Sequence, residues 1–413
     1  MKDRNGTIGA REALDRNVVV TGVTSFFTDI ASEMIYPLIQ AFVAMVMAGH
    51  KVLLGPVLGV IEGVAESTAS LVRVASGYYS DRIRRRKEPV IAGYGLSAIG
   101  RVLLLAGAAG WWFILLARFL DRVGKGIRTA PRDALISDST AKEGQGRAFG
   151  FQRAMDFAGA FLGALLCYFA VRAFMDPATG TLGDLGGFYT LFLVSLVPAA
   201  AGIAALFFIR EKAGPKHDSP GAAGPMLDIR KYDRNLRVFF LSQFIFTMGN
   251  SSNQFLLLRS MDLGHALSTV VLMYLSFNLS SSALSYLFGS WSDSLGRKKI
   301  LMAGYLLYAV VYSSFGFLTL ENASLLWLFW PLYGVYYAMT EGVEKAFVCD
   351  IAPGKSRATA LGFHQATVGI GLLPASLIAG VLFAVNPGLP FLFGGAMAVA
   401  AVVVLAFGVR APE

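Results

Sequence analysis

The stretch RFLDRVGKGIRTAPRD, residues 118–133, follows the apolar run WWFILLA and carries Arg118, Asp121, Arg122, Lys125, Arg128, Arg132 and Asp133. Guanidinium groups bind carboxylates, phosphates or sulfonates through paired hydrogen bonds. Carboxylates beside cations gain and lose protons as their hydration and partners change. At 100° per residue Arg118, Asp121, Arg122, Lys125, Arg128 and Arg132 fall within about a third of a helix circumference. Such a stripe in an apolar segment must face a water-filled cavity or opposite charges, because an ionisable group in hydrocarbon costs at least a few kcal/mol.

Acidic partners lie nearby in the sequence. Asp29 and Glu33 are four residues apart, as are Glu62 and Glu66, and Arg153 and Asp156 are three apart, so each pair shares a helix face. Two readings are open. The acids either neutralise the arginines in a buried network, or some of the charge is left for work; burying so many ion pairs is a poor route to stability. The functional reading takes Arg118, Arg122, Lys125, Arg128 and Arg153 as anion contacts and Asp29, Glu33, Glu66, Asp121 and Asp156 as proton carriers. Arg132 and Asp133, near the end of the segment, read as a gate pair. In the second half of the chain TMGNSSNQF (247–255) supplies Asn250, Asn253 and Gln254 as hydrogen-bonding groups for a solute. Tyr337, Glu341, Glu344 and Lys345 share one face, with Lys345 expected to pair along its own helix, and His364 and Gln365 follow in the next segment.

The elements that must position these groups are membrane helices. Of 413 residues 55% are hydrophobic and 15% charged, against roughly 25% charged in soluble domains. Segments near the length of about 20 residues that a spanning helix needs fall at 18–46, 53–80, 89–109, 111–138, 146–174, 187–209, 237–260, 267–291, 299–319, 324–351, 357–385 and 388–409. The loops DRIRRRK (81–87), KEGQGR (142–147), 210–237, GRKK (296–299) and GKSR (354–357) are basic and share one side. By the positive-inside rule that side, with both termini, is cytoplasmic. Residues 1–17 read as a cytoplasmic leader, since no cleavage site comes after a short apolar core. Residues 18–209 and 237–409 form two six-helix halves joined by a Gly- and Pro-rich linker at 210–236.

Other chemistries find little support. The net charge of +9 sits in short interhelical clusters, so nucleic acid is not expected as a partner. Two cysteines and four histidines form no ligand pattern, and no metal or cofactor is expected. GKGIRTAP lacks the spacing of a nucleotide-binding phosphate loop, which argues against ATP-driven work; Gly124, Gly126 and Pro131 are expected instead to loosen the fourth span.

The halves repeat. GYYSDRIRRRK (77–87) aligns with GSWSDSLGRKK (289–299), and the same shift brings Asp138 onto Asp350 and GFQRA (150–154) onto GFHQA (362–366). Internal duplication of a six-helix unit marks secondary transporters, whose site lies near the membrane midplane between the repeats. At these residues the chain resembles the major facilitator superfamily. Gly77, Asp81, Arg82, Arg85 and Arg86 match that family's loop motif, with Arg84 in place of a glycine; the second copy keeps Gly289, Asp293, Gly296, Arg297 and Lys298, with Ser294 in place of a basic residue. Arg118, Gly124 and Gly126 fit its fourth-span motif, where Arg122 replaces a glycine.

The resemblance implies an all-α membrane protein of twelve transmembrane helices, a monomer and not an enzyme, in the lipid bilayer of a bacterial inner membrane. Asp81 and Asp293 would clasp the halves in one state, with Gly77, Arg82, Arg85, Gly289 and Arg297 completing the gates. The expected function is secondary active transport of a small organic, anionic substrate, coupled to H+. The alternatives are efflux of amphiphilic drugs, lipid flipping, and metal-ion permeation using Met248, Met261, Met273 and His265.

Overall fold

A computed structural model of the chain describes residues 14–83, 85–140, 144–178, 180–210, 229, 232–352 and 357–409; the side chains at 78, 81–83, 146 and 357–358 lie outside the described set. The leader before residue 14, almost all of the 210–236 linker, and the side chains of Asp81 and Arg82 therefore lie outside the described residues.

Twelve spans are present. The first is α1 (Arg16–Ile35) continued by α2 (Ile39–Val46), and the next five are α3 (Leu54–Ile83), α4 (Lys87–Leu103), α5 (Trp111–Asp138), α6 (Gln145–Phe174) and α7 (Leu185–Leu206). The seventh is α8 (Arg234–Gly249) continued by α9 (Gln254–Asp262). The last five are α10 (Leu267–Leu295), α11 (Arg297–Phe317), α12 (Leu326–Ile351), α13 (Arg357–Val385) and α14 (Leu389–Gly408).

Local sequence explains the punctuation. Asp15, Asp184 and Asp233 cap α1, α7 and α8 by accepting backbone N–H bonds from Asn17, Gly187 and Leu236. Pro37 sits in the 3-10 turn at 36–38 that breaks the first span, and Asn250 to Asn253 break the seventh. Gly296, at φ +94°, supplies the left-handed residue between α10 and α11.

Composition alone recovers only part of this. Among the described residues nine stretches are long and apolar enough to cross a membrane, and α5, the broken α8–α9 span and α12 are not among them. Charge lowers α5, the break divides α8 from α9, and tyrosines and acids lower α12. These three line the space between the halves, where polarity is tolerated because the helices face one another rather than lipid.

The fourth span is not loosened at its glycines. α5 runs unbroken through Pro131. Gly126 instead lets α5 close on α3: a Cβ there would fall 2.7 Å from Val72 Cβ. Gly93 of α4 does the same against Gly124, where a Cβ would meet the Gly124 carbonyl at 2.6 Å.

The halves meet through α3 on α13, α6 on α10, and α2 on α9. On the face opposite the basic loops they are sealed. The Leu267 N–H donates to the Gly180 carbonyl at 2.8 Å, the Gln254 amide donates to the Tyr36 carbonyl at 2.8 Å, and Gly55 packs on Gly380. Towards the basic face the links become long: Arg73 to Gln365 at 3.4 Å and Arg153 to Glu341 at 3.4 Å.

The basic face corrects the repeat alignment by one residue. Arg86 pairs with Asp138 at 3.4 Å and Arg297 with Asp350 at 3.1 Å. Lys87 donates to the carbonyls of Phe207 and Ile209 after α7, and Lys298 to those of Ala406 and Val409 at the end of α14. Arg86–Lys87 is thus the counterpart of Arg297–Lys298, each pair holding an aspartate and the negative end of its half's last helix. Arg85, expected in the gate, instead pairs with Glu88 at 2.8 Å on the surface, both side chains more than 60% exposed. Asp293 pairs with Arg297 of its own helix hairpin at 3.0 Å, so in this conformation it does not clasp the two halves. Gly77 packs near Ala130 and Gly289 faces open space.

Candidate functional site

A cavity of about 370 Å³ lies between the halves. α1, α3, α4 and α5 supply its charged wall, and the α8–α9 break, α10, α12 and α13 its uncharged wall. Arg118, Arg122, Lys125, Arg128, Asn250 and Asn253 line it, as do Asp29, Glu33, Glu66 and Asp121. The α5 stripe therefore faces a cavity, as its helical spacing requires.

Three singled-out residues lie elsewhere. Arg153 is half-exposed on α6, over the Phe157 ring at 4.6 Å and beside Glu341. Gln254 is fully buried in its bond to the Tyr36 carbonyl. Asp156 accepts from the Gln152 amide at 2.9 Å and lies 3.9 Å from Arg132, behind the cavity wall. Arg132 and Asp133 do pair, at 3.0 Å, but they are neighbours on one helix; Arg132 also donates to Ser25 at 3.0 Å. That contact fastens α5 to α1 within one half and bridges no gate.

The charged wall is partly self-satisfied. Arg118 donates from Nε and Nη2 to the two oxygens of Glu62, both at 2.9 Å, with the Glu62 side chain fully buried. Ser252, from the opposite half, adds a third hydrogen bond to Glu62 at 3.0 Å. Arg122 reaches Glu66 at 3.1 Å. Arg101 stands 4.0 Å from Asp121 and donates to Ser32 at 2.9 Å.

What remains is two cations and two acids. Lys125 has no ion pair among the described residues, and Arg128 donates to Ser97 while its guanidinium sits 4.5 Å above the Tyr94 ring. Among the described residues Asp29 has no ion pair, and Glu33 accepts only from the Tyr274 hydroxyl, at 2.9 Å. Arg101, Lys125 and Arg128 all lie close enough for their charge to act on Asp29. Lys125, midway along the stripe, is its exposed member.

The uncharged wall is built on tyrosine. The hydroxyl of Tyr308 donates to the Gly249 carbonyl at 2.9 Å, Tyr312 pairs with Ser251 at 2.7 Å, Asn250 donates to Tyr336 at 3.1 Å, and Tyr333 donates to Asn253 at 2.9 Å. Four phenols thus satisfy the α8–α9 break, where the backbone has left the helix inside a low-dielectric region. The rings stack behind it, with Tyr308 on Tyr312 at 4.6 Å and Phe246 on Tyr305 at 4.0 Å. This wall can offer Asn250 and Asn253 in fixed orientations.

Sequence reasoning passed over Arg101 and the phenols of the break, and had Glu62 as one of several acids that could neutralise the arginines. Arg101 had a signal: it is a lone arginine within an apolar span, and such a residue points to a cavity or a partner. Lys345 was expected to pair with Glu341 or Glu344; instead Glu341 meets Arg153 at 3.4 Å, Glu344 meets Tyr305 at 2.9 Å and His364 at 3.6 Å, and Lys345 is exposed.

Comparison with known proteins agrees with this geometry. An uncharacterized MFS-type transporter of Methanocaldococcus jannaschii is 35% identical over 400 residues, covering 95% of each chain. Multidrug resistance protein 1 of Bacillus subtilis is 31% identical over 141 residues, 34% of this chain and 36% of that one. The crystal structure of a D-xylose-proton symporter superposes with a TM-score of 0.75 at 17% identity, covering 96% and 97% of the two chains, which is likeness of fold. The family profile described as Major Facilitator Superfamily matches residues 21–257 and 239–413. With twelve spans, two pseudo-symmetric halves and a charged cavity between them, the chain belongs to the Major Facilitator Superfamily of membrane transporters.

Proposed function

We propose that the protein is a secondary active transporter that carries a small organic anion together with protons, by alternating access to the central cavity. One observation carries this reading: once Arg118, Arg122 and Arg101 are counted against Glu62, Glu66 and Asp121, the remaining cations of the cavity, Lys125 and Arg128, match its remaining acids, Asp29 and Glu33. With both α1 carboxylates ionised the cavity is neutral. Protonating them leaves the cavity with two positive charges in excess, and an anionic solute restores balance. Proton and anion then bind with reciprocal coupling. Arg118 is held by Glu62, so Lys125 and Arg128 make the anion contacts, and Asn250 and Asn253 orient the rest of the solute.

The cavity volume of about 370 Å³ is near the lower end of the roughly 300–1,000 Å³ found for small-molecule sites. Its dense charge suits a compact polar solute better than a bulky amphiphile, which makes drug efflux the weaker reading despite the partial match to a resistance protein. The metal-permease reading is weaker because Met248, Met261, Met273 and His265 are not among the residues lining the cavity; Met261 accepts from Gln40 and His265 faces the Ala323 carbonyl. In this reading the basic face is the cytoplasmic one, as the positive-inside rule favours, the membrane is a bacterial inner membrane, and the working unit is one chain, whose residues line the whole cavity.

Ligand-induced thermal stabilisation of the purified protein, at about pH 5.5 and about pH 8, tests this against panels of carboxylates, phosphates, sulfonates and lipophilic cations. An anion is expected to bind at least tenfold more tightly at the acid pH. In Asp29→Asn the pH dependence should shrink, in Asp29→Asn/Glu33→Gln the affinity should be the same at both, and Lys125→Ala should bind no anion. A preference for lipophilic cations, or anion binding indifferent to pH and to Lys125→Ala, would sink the reading.

A further inference from the structure

Each half contains a buried polar cluster at matching positions. In the first half Ser25 of α1, Tyr94 of α4, Arg132 of α5 and Gln152 of α6 converge: Gln152 and Arg132 donate to Ser25 at 2.5 and 3.0 Å, and Tyr94 lies 3.4 Å from it. In the second half Gln243 of α8, Tyr305 of α11, Glu344 of α12 and His364 of α13 converge. Tyr305 contacts Gln243 at 2.7 Å and Glu344 at 2.9 Å, and His364 Nε2 lies 3.6 Å from Glu344. Tyr94 and Tyr305 are 211 residues apart, while Arg132 and Glu344, like Gln152 and His364, are 212 apart. The duplication has kept the cluster and changed its charge. A permanent cation near Asp133 and Asp156 in one half becomes a carboxylate beside an imidazole in the other.

Hydrogens are short in the second cluster. The Tyr305 hydroxyl has one hydrogen to place between Gln243 and Glu344. His364 is 2% exposed and its two ring nitrogens are buried without a hydrogen-bond partner. Glu344 has no lysine or arginine in reach among the described residues. The titratable groups around it are Tyr305 from α11, Tyr336 and Tyr337 from its own helix and His364 from α13. α8 contributes only the neutral Gln243, while Glu341 and Lys345 are exposed. An ionised, buried carboxylate so poorly served is costly; one added proton, on Glu344 or on His364, satisfies both residues.

The pair also spans a seam. α13 packs more extensively on α3 of the opposite half than on α8, α12 or α14 of its own, whereas its counterpart α6 packs chiefly on α1 of its own half. Ser67 of α3 donates to the Gly369 carbonyl, and Arg73 of α3 to Gln365, next to His364. α13 is thus the helix of the second half most firmly tied to the first, so a load between the halves falls on α13 before α12.

We propose that Glu344 and His364 form a proton-binding site of the second half, separate from Asp29 and Glu33, that holds one proton in the conformation described and is altered when the halves move. The motion is that of the alternating-access reading; the proton is not tied to any substrate. Binding adds H+ to a carboxylate oxygen or to an imidazole nitrogen and breaks no other bond.

The first test uses full-length protein in lipid nanodiscs at neutral pH, without substrate, by infrared spectroscopy of carboxyl groups and ¹⁵N NMR of the histidines. The expected result is a carboxylic-acid band that disappears in Glu344→Gln, or an imidazolium signal, absent in His364→Asn, that becomes neutral in Glu344→Gln. An ionised carboxylate at 344 beside a neutral imidazole at 364 overturns the proposal. The second test tracks the distance between spin labels on the two halves at the basic face as a function of pH. Glu344→Gln should move the midpoint at least tenfold in proton concentration, with Tyr305→Phe, which keeps the ring, moving it in part. A midpoint identical to the wild type's in both variants overturns the coupling. Absence of anion binding would sink the central-cavity reading alone, because neither test here involves a solute.

Discussion

Glu62→Gln is expected to destabilise the protein by about 3–5 kcal/mol, the cost of leaving one member of a buried ion pair uncompensated. Glu62 is fully buried and accepts both hydrogen bonds of the Arg118 fork and one from Ser252. The amide keeps the shape but removes the charge, and it turns a donor towards a guanidinium that only donates. Arg118, 6% exposed, has Glu66 and Asp121 as its next acids, at 3.8 and 3.9 Å, too far to replace paired hydrogen bonds. Arg118→Gln should cost a similar amount. The double variant should be more stable than either single one, since two amides can bond to each other. Denaturant unfolding in detergent measures the cycle. A single-variant loss below about 1 kcal/mol, or a double variant as damaged as the sum, would show that the two residues do not act as a unit.

Gly380→Val is expected to open the face that the structure shows sealed. A Cβ at Gly380 would lie 2.5 Å from the Gly55 carbonyl oxygen and 3.0 Å from Pro56 Cα, and one at Gly55 would lie 2.6 Å from the Gly380 carbonyl. These are backbone atoms of α3 and α13, which cannot rotate away, so the helices must separate. Overpacking of this kind costs about 1–3 kcal/mol, charged only to the state in which the helices touch. The equilibrium between access states should move by roughly 5- to 150-fold. A reporter cysteine at Leu372, which lines the cavity, in a background lacking Cys167 and Cys349, reads the change. Labelling from the face opposite the basic loops should rise sharply in Gly380→Val. Unchanged labelling in a protein of unchanged stability would falsify the role given to this contact.

Glu62 and Gly380 differ in how far the sequence foreshadowed their roles. Glu62 was visible as an acid four residues before Glu66, but nothing local says which of five nearby bases it meets. Gly380 is one of 45 glycines, and its importance depends on Gly55, more than three hundred residues away. The gate motif shows the same limit. The gapless alignment put Arg85 opposite Arg297, yet the ion pairs put Arg86 there, because loop length before α4 and before α11 is set by helix packing and not by the motif's spelling.

By itself the sequence determined the basic and non-basic faces, the duplication and the α5 charge stripe, while apolar length marks nine of the twelve described spans. Apolar length, loop charge and 3.6-residue periodicity are properties of contiguous residues, and the cost of exposing charge to hydrocarbon makes them decisive. Tertiary structure alone decided which charges are spent and which are left. Arg118 went to Glu62 and Arg122 to Glu66, Asp156 and Arg153 fell outside the cavity, and Arg101 came into it from α4. It also set the tyrosines on the α8–α9 break and His364 against Glu344. The physical reason is range: an ion pair or a buried hydrogen bond acts over about 3–4 Å, and only the crossing of helices distant in sequence brings two side chains that close.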